Sequence, residues 1–387
     1  GLSEISAVSA GSSFSLAVGS DRTVWSWGRN NTSQLGIGTT SNRDEPVQIS
    51  GLSGVIAVSA GYNHALALKA DGTVWAWGAN GSGQLGDGTL NNRSFPVKVS
   101  GLTNIVAISA GQDHSLALSR DGTVWCWGAN SRGQLGDGST TNRPSPVQVA
   151  GLNNIKAISA GAFHNLALSN DGSVWCWGAN SQGQLGLGSE TDQSLAQKIT
   201  ELTGVMAIAA GEDHSLATRT DGSLWAWGGN SRGQLGDGST YSRTVPVLIS
   251  AITGLDTFDA GGRHSLAVKN NNTTWAWGSN SSAQLGDYTR LNRTRPVQIG
   301  FFSQISLRAL PAMGGTLLGE NTYAHLGRAT VLARPAADYL FVNWTEDGRE
   351  VSTRTSYTFT VTGDRVLTAN FISLLDFLRQ ELKSSYP

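Results

Sequence analysis

A repeat of 50 residues runs through most of this chain and restricts its fold more than any other feature of the sequence. In each of six copies two tryptophans stand one residue apart, and Gln-Leu-Gly follows them. The pairs are Trp25/Trp27, Trp75/Trp77, Trp125/Trp127, Trp175/Trp177, Trp225/Trp227 and Trp275/Trp277. A fixed period of this length is typical of proteins in which each repeat folds as one supersecondary unit and packs against its neighbours. Each repeat position is numbered by its residue in the first copy, so that position 14 refers to Phe14, His64, His114 and the equivalent residues of the later copies.

Each copy reads as four short β-strands. Apolar or alternating runs in the third copy cover residues 105–110, 114–118, 123–127 and 146–149. Asp121-Gly122 separates the second run from the third and is typical of a hairpin turn, because glycine readily adopts positive φ. Six such units predict an all-β fold, a β-propeller of four-stranded blades. We expect a closed or nearly closed ring, because open ends would expose an apolar blade face.

The alternation of side chains along a strand gives the tryptophans a structural role. Positions 25 and 27 point to one face of the third strand, and position 26 points to the other. Position 26 is always small: Ser26, Ala76, Cys126, Cys176, Ala226 and Ala276. We therefore expect the tryptophan pairs to pack between closely spaced blades. Cys126 and Cys176 should be buried free thiols, because matching points on adjacent blades lie too far apart for a disulfide.

The repeat resembles a known family. The strings Ala-Gly-x-x-His-Ser-Leu-Ala-Leu at 110–118 and Asp-Gly-x-x-Trp-x-Trp-Gly-x-Asn to Gly-Gln-Leu-Gly-Asp at 121–137 are similar to the repeat of the regulator of chromosome condensation. The resemblance covers residues 1–300 and implies a propeller over 1–303, typically with seven blades. Its members include guanine-nucleotide exchange factors and secreted bacterial binding proteins. Because only six repeats are present, a six-bladed ring, a ring without its seventh blade and an incomplete ring all remain open.

The pattern changes near residue 304. Residues 304–372 resemble the divergent B-repeat of bacterial surface proteins, related to internalin and Bacteroides repeats, which implies a small β-rich module on an exported protein. From Tyr357 to Val361, aromatic and β-branched residues alternate with threonine, as expected of a half-exposed strand. Residues 373–387 predict a short helix or tail, with an apolar stripe at Leu374, Leu378 and Leu382. A secreted or cell-surface bacterial protein is the expectation.

Composition and motifs argue against several function classes. The formal net charge is -1, so nothing indicates binding to nucleic acid. No apolar run is long enough for a membrane helix. The segment from Gly229 to Gly233 has the spacing of a hydrolase nucleophile elbow, but no helix follows it as that motif requires. We predict no catalytic residue, no cofactor and no membrane insertion.

Polar residues that recur at one repeat position are expected to be structural. Position 14 carries histidine in five copies and Phe14 in the first, which does not fit a metal site with converging ligands. These histidines are His64, His114, His164, His214 and His264, and we expect each to bond to the backbone at a strand end. Arginine recurs at Arg43, Arg93, Arg143, Arg243 and Arg293, and aspartate at Asp87, Asp137, Asp237 and Asp287. We expect them to form a bridge within a loop or to bond to main-chain carbonyls.

The candidate binding residues are those that differ most between copies. Two residues between a glycine and position 14 vary freely and lie in the turn that joins the first two strands. Repeat symmetry places all six turns at one end of the propeller, near its axis, where loops on a rigid scaffold can bind a partner. The predicted binding residues are Tyr62, Asn63, Gln112, Asp113, Phe163, Glu212, Asp213 and Arg263.

Binding to another protein is the function that this pattern favours. Aromatic residues with a charged border are typical of protein interfaces. A propeller that binds carbohydrate or a small ligand is one alternative. Nucleotide exchange on a small GTPase is the other, although the constant 50-residue step leaves no room for the wedge that the type member of that class inserts into a blade. An enzyme is not expected.

Overall fold

The computed structural model describes residues 2, 4–300, 302–324 and 327–385. It divides into two compact units, Gly1–Ile299 and Gly300–Pro387. The first unit contains all six copies of the repeat. The second contains the B-repeat-like segment together with residues 373–387.

Each repeat forms one antiparallel sheet of four strands, paired in chain order, so the predicted four-stranded blades are confirmed. Blades 1 to 3 consist of β1 (Ile5–Ala10), β2 (Phe14–Gly19), β3 (Val24–Gly28), β4 (Arg43–Gln48), β5 (Val55–Ala60), β6 (His64–Lys69), β7 (Val74–Gly78), β8 (Arg93–Lys98), β9 (Ile105–Ala110), β10 (His114–Ser119), β11 (Val124–Gly128) and β12 (Arg143–Gln148). Blades 4 to 6 consist of β13 (Ile155–Ala160), β14 (His164–Ser169), β15 (Val174–Gly178), β16 (Gln193–Lys198), β17 (Val205–Ala210), β18 (His214–Arg219), β19 (Ser223–Gly228), β20 (Arg243–Thr253), β21 (Leu255–Ala260), β22 (His264–Lys269), β23 (Thr274–Gly278) and β24 (Arg293–Ile299).

Local hydrogen bonds explain why the sequence turns where it does. In blade 3, the Asp121 carboxylate accepts bonds from the main-chain nitrogen and the hydroxyl of Thr123, at 3.0 and 2.7 Å. Gly122 adopts a φ of 82°, which closes the hairpin between β10 and β11 at no steric cost. The turn therefore fixes the register that pairs Leu116 with Cys126.

The loop between the third and fourth strands, positions 29–42, has no regular structure but is held by side chains. In blade 3, Asn130 donates to the main-chain oxygens of Ser139 and Thr141, and its own side-chain oxygen accepts from the Leu135 nitrogen at 2.9 Å. The predicted arginine–aspartate bridges close the same loop in four blades. Their shortest distances are 2.7 Å for Arg93–Asp87, 2.9 Å for Arg143–Asp137, 2.7 Å for Arg243–Asp237 and 2.6 Å for Arg293–Asp287.

Consecutive blades pack face to face through apolar clusters. In the cluster between blades 3 and 4, Leu116, Val124 and Leu135 of blade 3 meet Ala167 and Trp177 of blade 4. The tryptophan at position 27 is fully buried in blades 2 to 6. Its indole N–H donates to the main-chain oxygen of position 34 in the preceding blade, as from Trp177 to Gln134 at 3.0 Å. Each such side chain removes roughly 150–250 Å² from water, so the predicted packing role of the pairs is confirmed.

Five junctions of this kind connect the six blades in chain order. Within the described residues, no apolar cluster and no hydrogen bond of the interblade series joins blade 6 to blade 1. Trp27 is consequently only half-buried, and Gln284 is exposed although its counterparts in the other blades are buried. Among the described residues the ring is therefore not closed directly from blade 6 to blade 1, although a closed ring was one expected form. We call this place the open junction.

The second unit packs two sheets around a separate core. The larger sheet has the order β27-β25-β32-β29-β30 and the smaller the order β26-β28-β31. Trp344, the one tryptophan outside the repeats, is fully buried between them. The elements are β25 (Phe302–Leu310), η1 (Ala312–Gly314), β26 (Gly315–Leu318), β27 (Asn321–Ala324), β28 (Arg328–Pro335), β29 (Tyr339–Glu346), β30 (Arg349–Ser352), β31 (Ser356–Thr360), β32 (Arg365–Ser373) and α1 (Leu374–Ser385).

Candidate binding site at the axial end of the propeller

The six turns between the first and second strands meet around one cavity. This cavity has a volume of about 510 Å³ and is lined by positions 10 to 12 of every repeat. We call positions 11–13 the axial turn. Position 12 contributes one residue from each blade to the cavity wall: Ser12, Tyr62, Gln112, Ala162, Glu212 and Gly262.

Main-chain hydrogen bonds hold the axial turns together. The nitrogen of Tyr62 donates to the oxygen of Gln112 in the next blade at 3.2 Å, and Gln112 donates to Ala162 at 3.1 Å. Ala162 donates to Glu212, and Glu212 donates to Gly262, at 3.3 and 3.1 Å. Because these bonds use only backbone atoms, the side chain at position 12 can change without disturbing the scaffold.

The second residue of each pair, at position 13, has a different environment. The Asn63 side-chain oxygen accepts from Gln34 Nε2 of the preceding blade at 3.3 Å. Asp113 accepts from Gln84 in the same way at 3.2 Å. Burial raises the pKa of the Asp113 carboxyl above its ordinary value. Asn63 and Asp113 are therefore half-buried bridges between blades rather than free turn tips.

Phe163 interrupts this series. It stands where Asn63 and Asp113 present an acceptor oxygen, and the Gln134 Nε2 that would donate to it is buried with no hydrogen-bond partner. An unsatisfied buried amide costs about 1–3 kcal/mol. Because the half-buried phenyl ring has no acceptor oxygen, Gln134 lacks the interblade hydrogen bond that Gln34 and Gln84 make.

The part of the site on blades 5 and 6 is charged. Arg263 Nε lies 3.2 Å from a Glu212 oxygen, and both side chains are substantially exposed. Asp213 accepts from Gln234 Nε2 of its own blade at 3.2 Å, unlike Asn63 and Asp113. Burial raises the pKa of Asp213. Two carboxyl groups, of Glu212 and Asp213, and the guanidinium of Arg263 are thus grouped in this part of the site, and Glu212 lines the cavity.

The structure brings all eight predicted residues to one end of the propeller but divides them into two groups. Tyr62, Gln112 and Glu212 line the cavity, and the tyrosine is 49% exposed. The position-13 residues lie behind them at the blade junctions or on the rim. Sequence reasoning treated the two positions as equivalent. The signal that could have separated them is the glutamine at position 34, which is present in every copy and needs an acceptor.

The histidines at position 14 lie outside this site and have partners other than those expected. In four blades the histidine is fully buried, and its Nε2 contacts a side chain at position 15 of the next blade, at 2.9 Å for His64 and Ser115. The predicted backbone partner is therefore wrong. The nearby carbonyl of Gln84 already accepts bonds from Ser115 and Trp127, so the imidazole bonds to the hydroxyl instead.

Other predicted features lie apart from the cavity. Cys126 and Cys176 are free and buried, and burial raises the pKa of both thiols. In the described part of the chain, no three His, Cys, Asp or Glu residues are arranged to hold a metal ion. No helix among the described residues is long and apolar enough to cross a membrane.

Comparisons with known proteins agree with this architecture. Residues 1–316 match the family model described as the RCC1-like domain, and residues 305–373 match the divergent InlB B-repeat domain. No curated protein sequence matches the chain. Among solved structures, human WBSCR16 is similar at 26% identity and a TM-score of 0.69, over 77% of this chain and 82% of that chain.

Two yeast structures are similar to the same extent. Prp20p from Saccharomyces cerevisiae, described with its binding properties to Gsp1p and histones, aligns at 26% identity and a TM-score of 0.70 over 77% of each chain. Yeast RCC1 (Prp20) in complex with Kap60 aligns at 25% identity and a TM-score of 0.68, over 77% of this chain and 75% of that chain. The chain therefore belongs to the RCC1-like propeller family and carries a divergent InlB B-repeat module after its six repeats.

Proposed function

We propose that this protein is a non-enzymatic binding propeller that contacts another protein through its axial turns. The observation that carries the proposal is the series of four backbone hydrogen bonds that joins the axial turns of blades 2 to 6 around the cavity. These bonds fix the turns while the side chains at position 12 vary from copy to copy. Side chains that vary on a rigid frame are a common arrangement for recognition.

The residues at this end suit a protein surface. Tyr62 offers a large, half-exposed aromatic side chain of a type enriched at interface hot spots. Glu212 lines the same cavity as Tyr62, so a partner with a basic residue opposite this carboxylate is favoured. The cavity wall itself consists largely of glycine and alanine. It therefore offers few side-chain groups that could converge on a small ligand, which makes a carbohydrate the weaker alternative.

The relatives give independent support. Prp20p is described with its binding to Gsp1p and histones, and yeast RCC1 was solved with Kap60 bound. A propeller of this family is thus used elsewhere for contacts with proteins. The B-repeat module supports a place outside a bacterial cell, and we propose a secreted or cell-surface location on that basis.

The test compares two variants at the axial turns with a control variant at an exposed tyrosine elsewhere on the propeller. Tyr62→Ala and Phe163→Asn should reduce capture of a partner from host and bacterial envelope fractions by at least tenfold. Phe163→Asn is chosen because Asn63 occupies the same repeat position and bonds to the glutamine of the preceding blade. Tyr241→Ala serves as the control, since Tyr241 is 74% exposed on the loop of blade 5.

Tyr62→Ala and Tyr241→Ala should keep the melting temperature of the parent within about 2 °C. Phe163→Asn should not lower it, because the asparagine oxygen can accept from the unsatisfied Gln134 amide. Retained binding by both axial variants would refute the proposed surface. Binding to a glycan array with the same dependence on Tyr62 would refute the proposal that the partner is a protein.

A further inference from the structure

One interblade junction differs from the others at the end of the propeller away from the axial turns. Strand β18 begins at His214, beside an axial turn, and ends at Arg219, so positions 18 and 19 lie toward that other end. In blades 1 to 4, position 18 is valine or leucine and belongs to the apolar cluster with the following blade. These residues, at most 2% exposed, are Val18, Leu68, Leu118 and Leu168.

Position 5 of the following blade completes this contact. It is also apolar, at most 4% exposed, and part of the same four clusters. The residues are Val55, Ile105, Ile155 and Val205. Positions 18 and 5 together therefore close these four junctions at the end away from the axial turns.

The junction between blades 5 and 6 lacks this closure. Position 18 of blade 5 is Thr218, which is only half-buried, and position 5 of blade 6 is Leu255, which is also half-buried. The remaining copy of position 18, Val268 of blade 6, lies at the open junction and offers no comparison. Threonine is shorter than leucine and carries a hydroxyl, so this replacement removes apolar packing and introduces a polar group.

A pocket lies at this place. Its volume is about 360 Å³, and residues of both blades line it. Thr218 belongs to the lining, together with an apolar wall formed by Met206 and Ile208 of blade 5 and by Leu255 and Phe258 of blade 6. A volume of this size suits a small molecule.

Two residues of opposite charge line the same pocket. Arg219 belongs to blade 5 and Asp256 to blade 6. Within the described residues, neither side chain forms an ion pair. An apolar ligand would remove water from both groups without pairing either, and a simple carboxylate would pair only Arg219. A ligand that carries both a carboxylate and an ammonium group pairs both.

The guanidinium of Arg219 is held in one orientation. Its Nε donates to the main-chain oxygen of Thr203 at 2.7 Å, and its Nη2 donates to the Thr203 hydroxyl at 3.2 Å. It also lies over Trp225, 5.2 Å from the ring centre. Blades 2 and 6 place a lysine over the equivalent ring, but only blade 5 carries arginine, whose planar group can bind a carboxylate through two hydrogen bonds. The Arg219 Nη1 has no hydrogen-bond partner among the described residues.

We propose that this pocket, which we call the junction pocket, binds a small zwitterion with an apolar body, the class of a free apolar amino acid. Arg219 binds the carboxylate of the ligand, and Asp256 binds its ammonium group. Met206, Ile208 and Phe258 contact its apolar side chain. The junction pocket is separate from the axial turns, so this inference does not depend on the protein-binding role proposed above.

The chain contains a built-in probe for the test, because it has only two methionines. Met206 lines the junction pocket, and Met313 belongs to η1 of the second unit. In the full chain labelled with ¹³C-methyl methionine, L-leucine or L-phenylalanine should shift the NMR signal of Met206 and leave that of Met313 unchanged. A ligand of this size should bind with a dissociation constant of about 1 mM or lower.

Two analogues of leucine test the role of the charges. Isocaproate lacks the ammonium group and isoamylamine lacks the carboxylate, so each should bind more weakly than L-leucine by about tenfold or more. Asp256→Asn should weaken the binding of L-leucine by a similar factor without weakening that of isocaproate. Arg219→Ser introduces the serine that blades 3 and 4 carry at position 19, and it should weaken L-leucine without weakening isoamylamine.

Two further variants separate the pocket from its surroundings. Thr218→Leu introduces the residue that blades 2 to 4 carry at position 18 and should fill the pocket. It should abolish the binding of L-leucine while the melting temperature stays the same or rises. Lys69→Ser removes the cation at position 19 of blade 2 and should leave the affinity for L-leucine unchanged.

Three results would overturn the proposal. An unchanged Met206 signal in the presence of about 10 mM of either amino acid would show that the pocket is only a gap in the packing. Binding of L-leucine that survives Thr218→Leu would place the ligand elsewhere. Equal affinities for L-leucine and isocaproate would refute recognition of a zwitterion, because Asp256 would then contribute nothing.

Discussion

The imidazole Nε2 of His114 lies 2.8 Å from the side-chain oxygen of Asn165 in the next blade, and Asn165 donates to the main-chain oxygen of Gln134, also 2.8 Å away. Gln134 and His114 both belong to blade 3, so Asn165 of blade 4 is hydrogen-bonded to two residues of the preceding blade. Trp177 donates to the same oxygen at 3.0 Å. The main-chain oxygen of Gln134 thus accepts from both the buried tryptophan and the asparagine that faces His114. Replacing either His114 or Asn165 alone should therefore destabilise the junction.

A double-mutant cycle on this pair should show strong coupling. His114→Phe leaves the Asn165 oxygen buried without a donor, and Asn165→Ala leaves the imidazole without an acceptor. Each single change should reduce the free energy of unfolding by about 1–3 kcal/mol. The double variant should lose at least 1 kcal/mol less than the sum, because it reproduces Phe14 and Ala65, which are buried in the cluster between blades 1 and 2. Denaturant unfolding followed by tryptophan fluorescence measures this, and strict additivity would show that His114 and Asn165 are not coupled across the junction.

Acid should destabilise the propeller through the same histidines. Burial lowers the pKa of His64, His164 and His214 to about 3 and that of His114 to about 4. The unfolded chain binds these protons near pH 6.5, whereas the folded chain resists them. Stability is therefore complete above pH 6.5 and falls as the pH approaches 4, by about 1.4 kcal/mol per histidine for each pH unit.

Melting temperatures measured between pH 8 and pH 4 test this prediction. The double variant His114→Phe/Asn165→Ala provides the control, since it removes one of the four groups and should show a shallower decline. A melting temperature that is flat down to pH 4 would contradict burial of neutral imidazoles.

Alanine substitution of two glycines at the same repeat position should reduce the free energy of unfolding by different amounts. Gly136 and Gly286 have φ values of 66° and 68°. An added Cβ at Gly136 would lie 2.7 Å from Val149 and 3.1 Å from Trp177, whereas Gly286 faces open space. Both alanine variants lose about 1 kcal/mol to backbone strain. Gly136→Ala should lose about 1–3 kcal/mol more through overpacking. Equal losses in denaturant unfolding would mean that the sixth blade is covered in solution.

The two thiols should react only after unfolding. Cys126 and Cys176 are fully buried, and their raised pKa values keep them protonated. Since the thiolate is the reactive form, a thiol reagent at pH 8 should modify neither residue in the folded protein within an hour. Both should react in denaturant without prior reduction. Fewer than two reactive groups under those conditions would indicate a disulfide.

Much of the fold could be predicted because the repeat is strictly periodic. The alternation of Trp125, Cys126 and Trp127 along a strand assigns large and small faces, and the structure packs those faces between blades. The Asp121-Gly122 turn and the Arg143–Asp137 bridge involve residues close in the chain, so their partners could be predicted from one copy.

The tertiary structure decided what depends on the next blade. His114 and Asn165 are 51 residues apart, and nothing in a single repeat indicates that they meet. For the same reason a single repeat does not show that Tyr62 lines the axial cavity whereas Asn63 bonds to the preceding blade. Nor could it show that, in the described part of the chain, blade 6 does not pack against blade 1, because closure of a ring depends on the packing angle between blades as well as on the number of repeats.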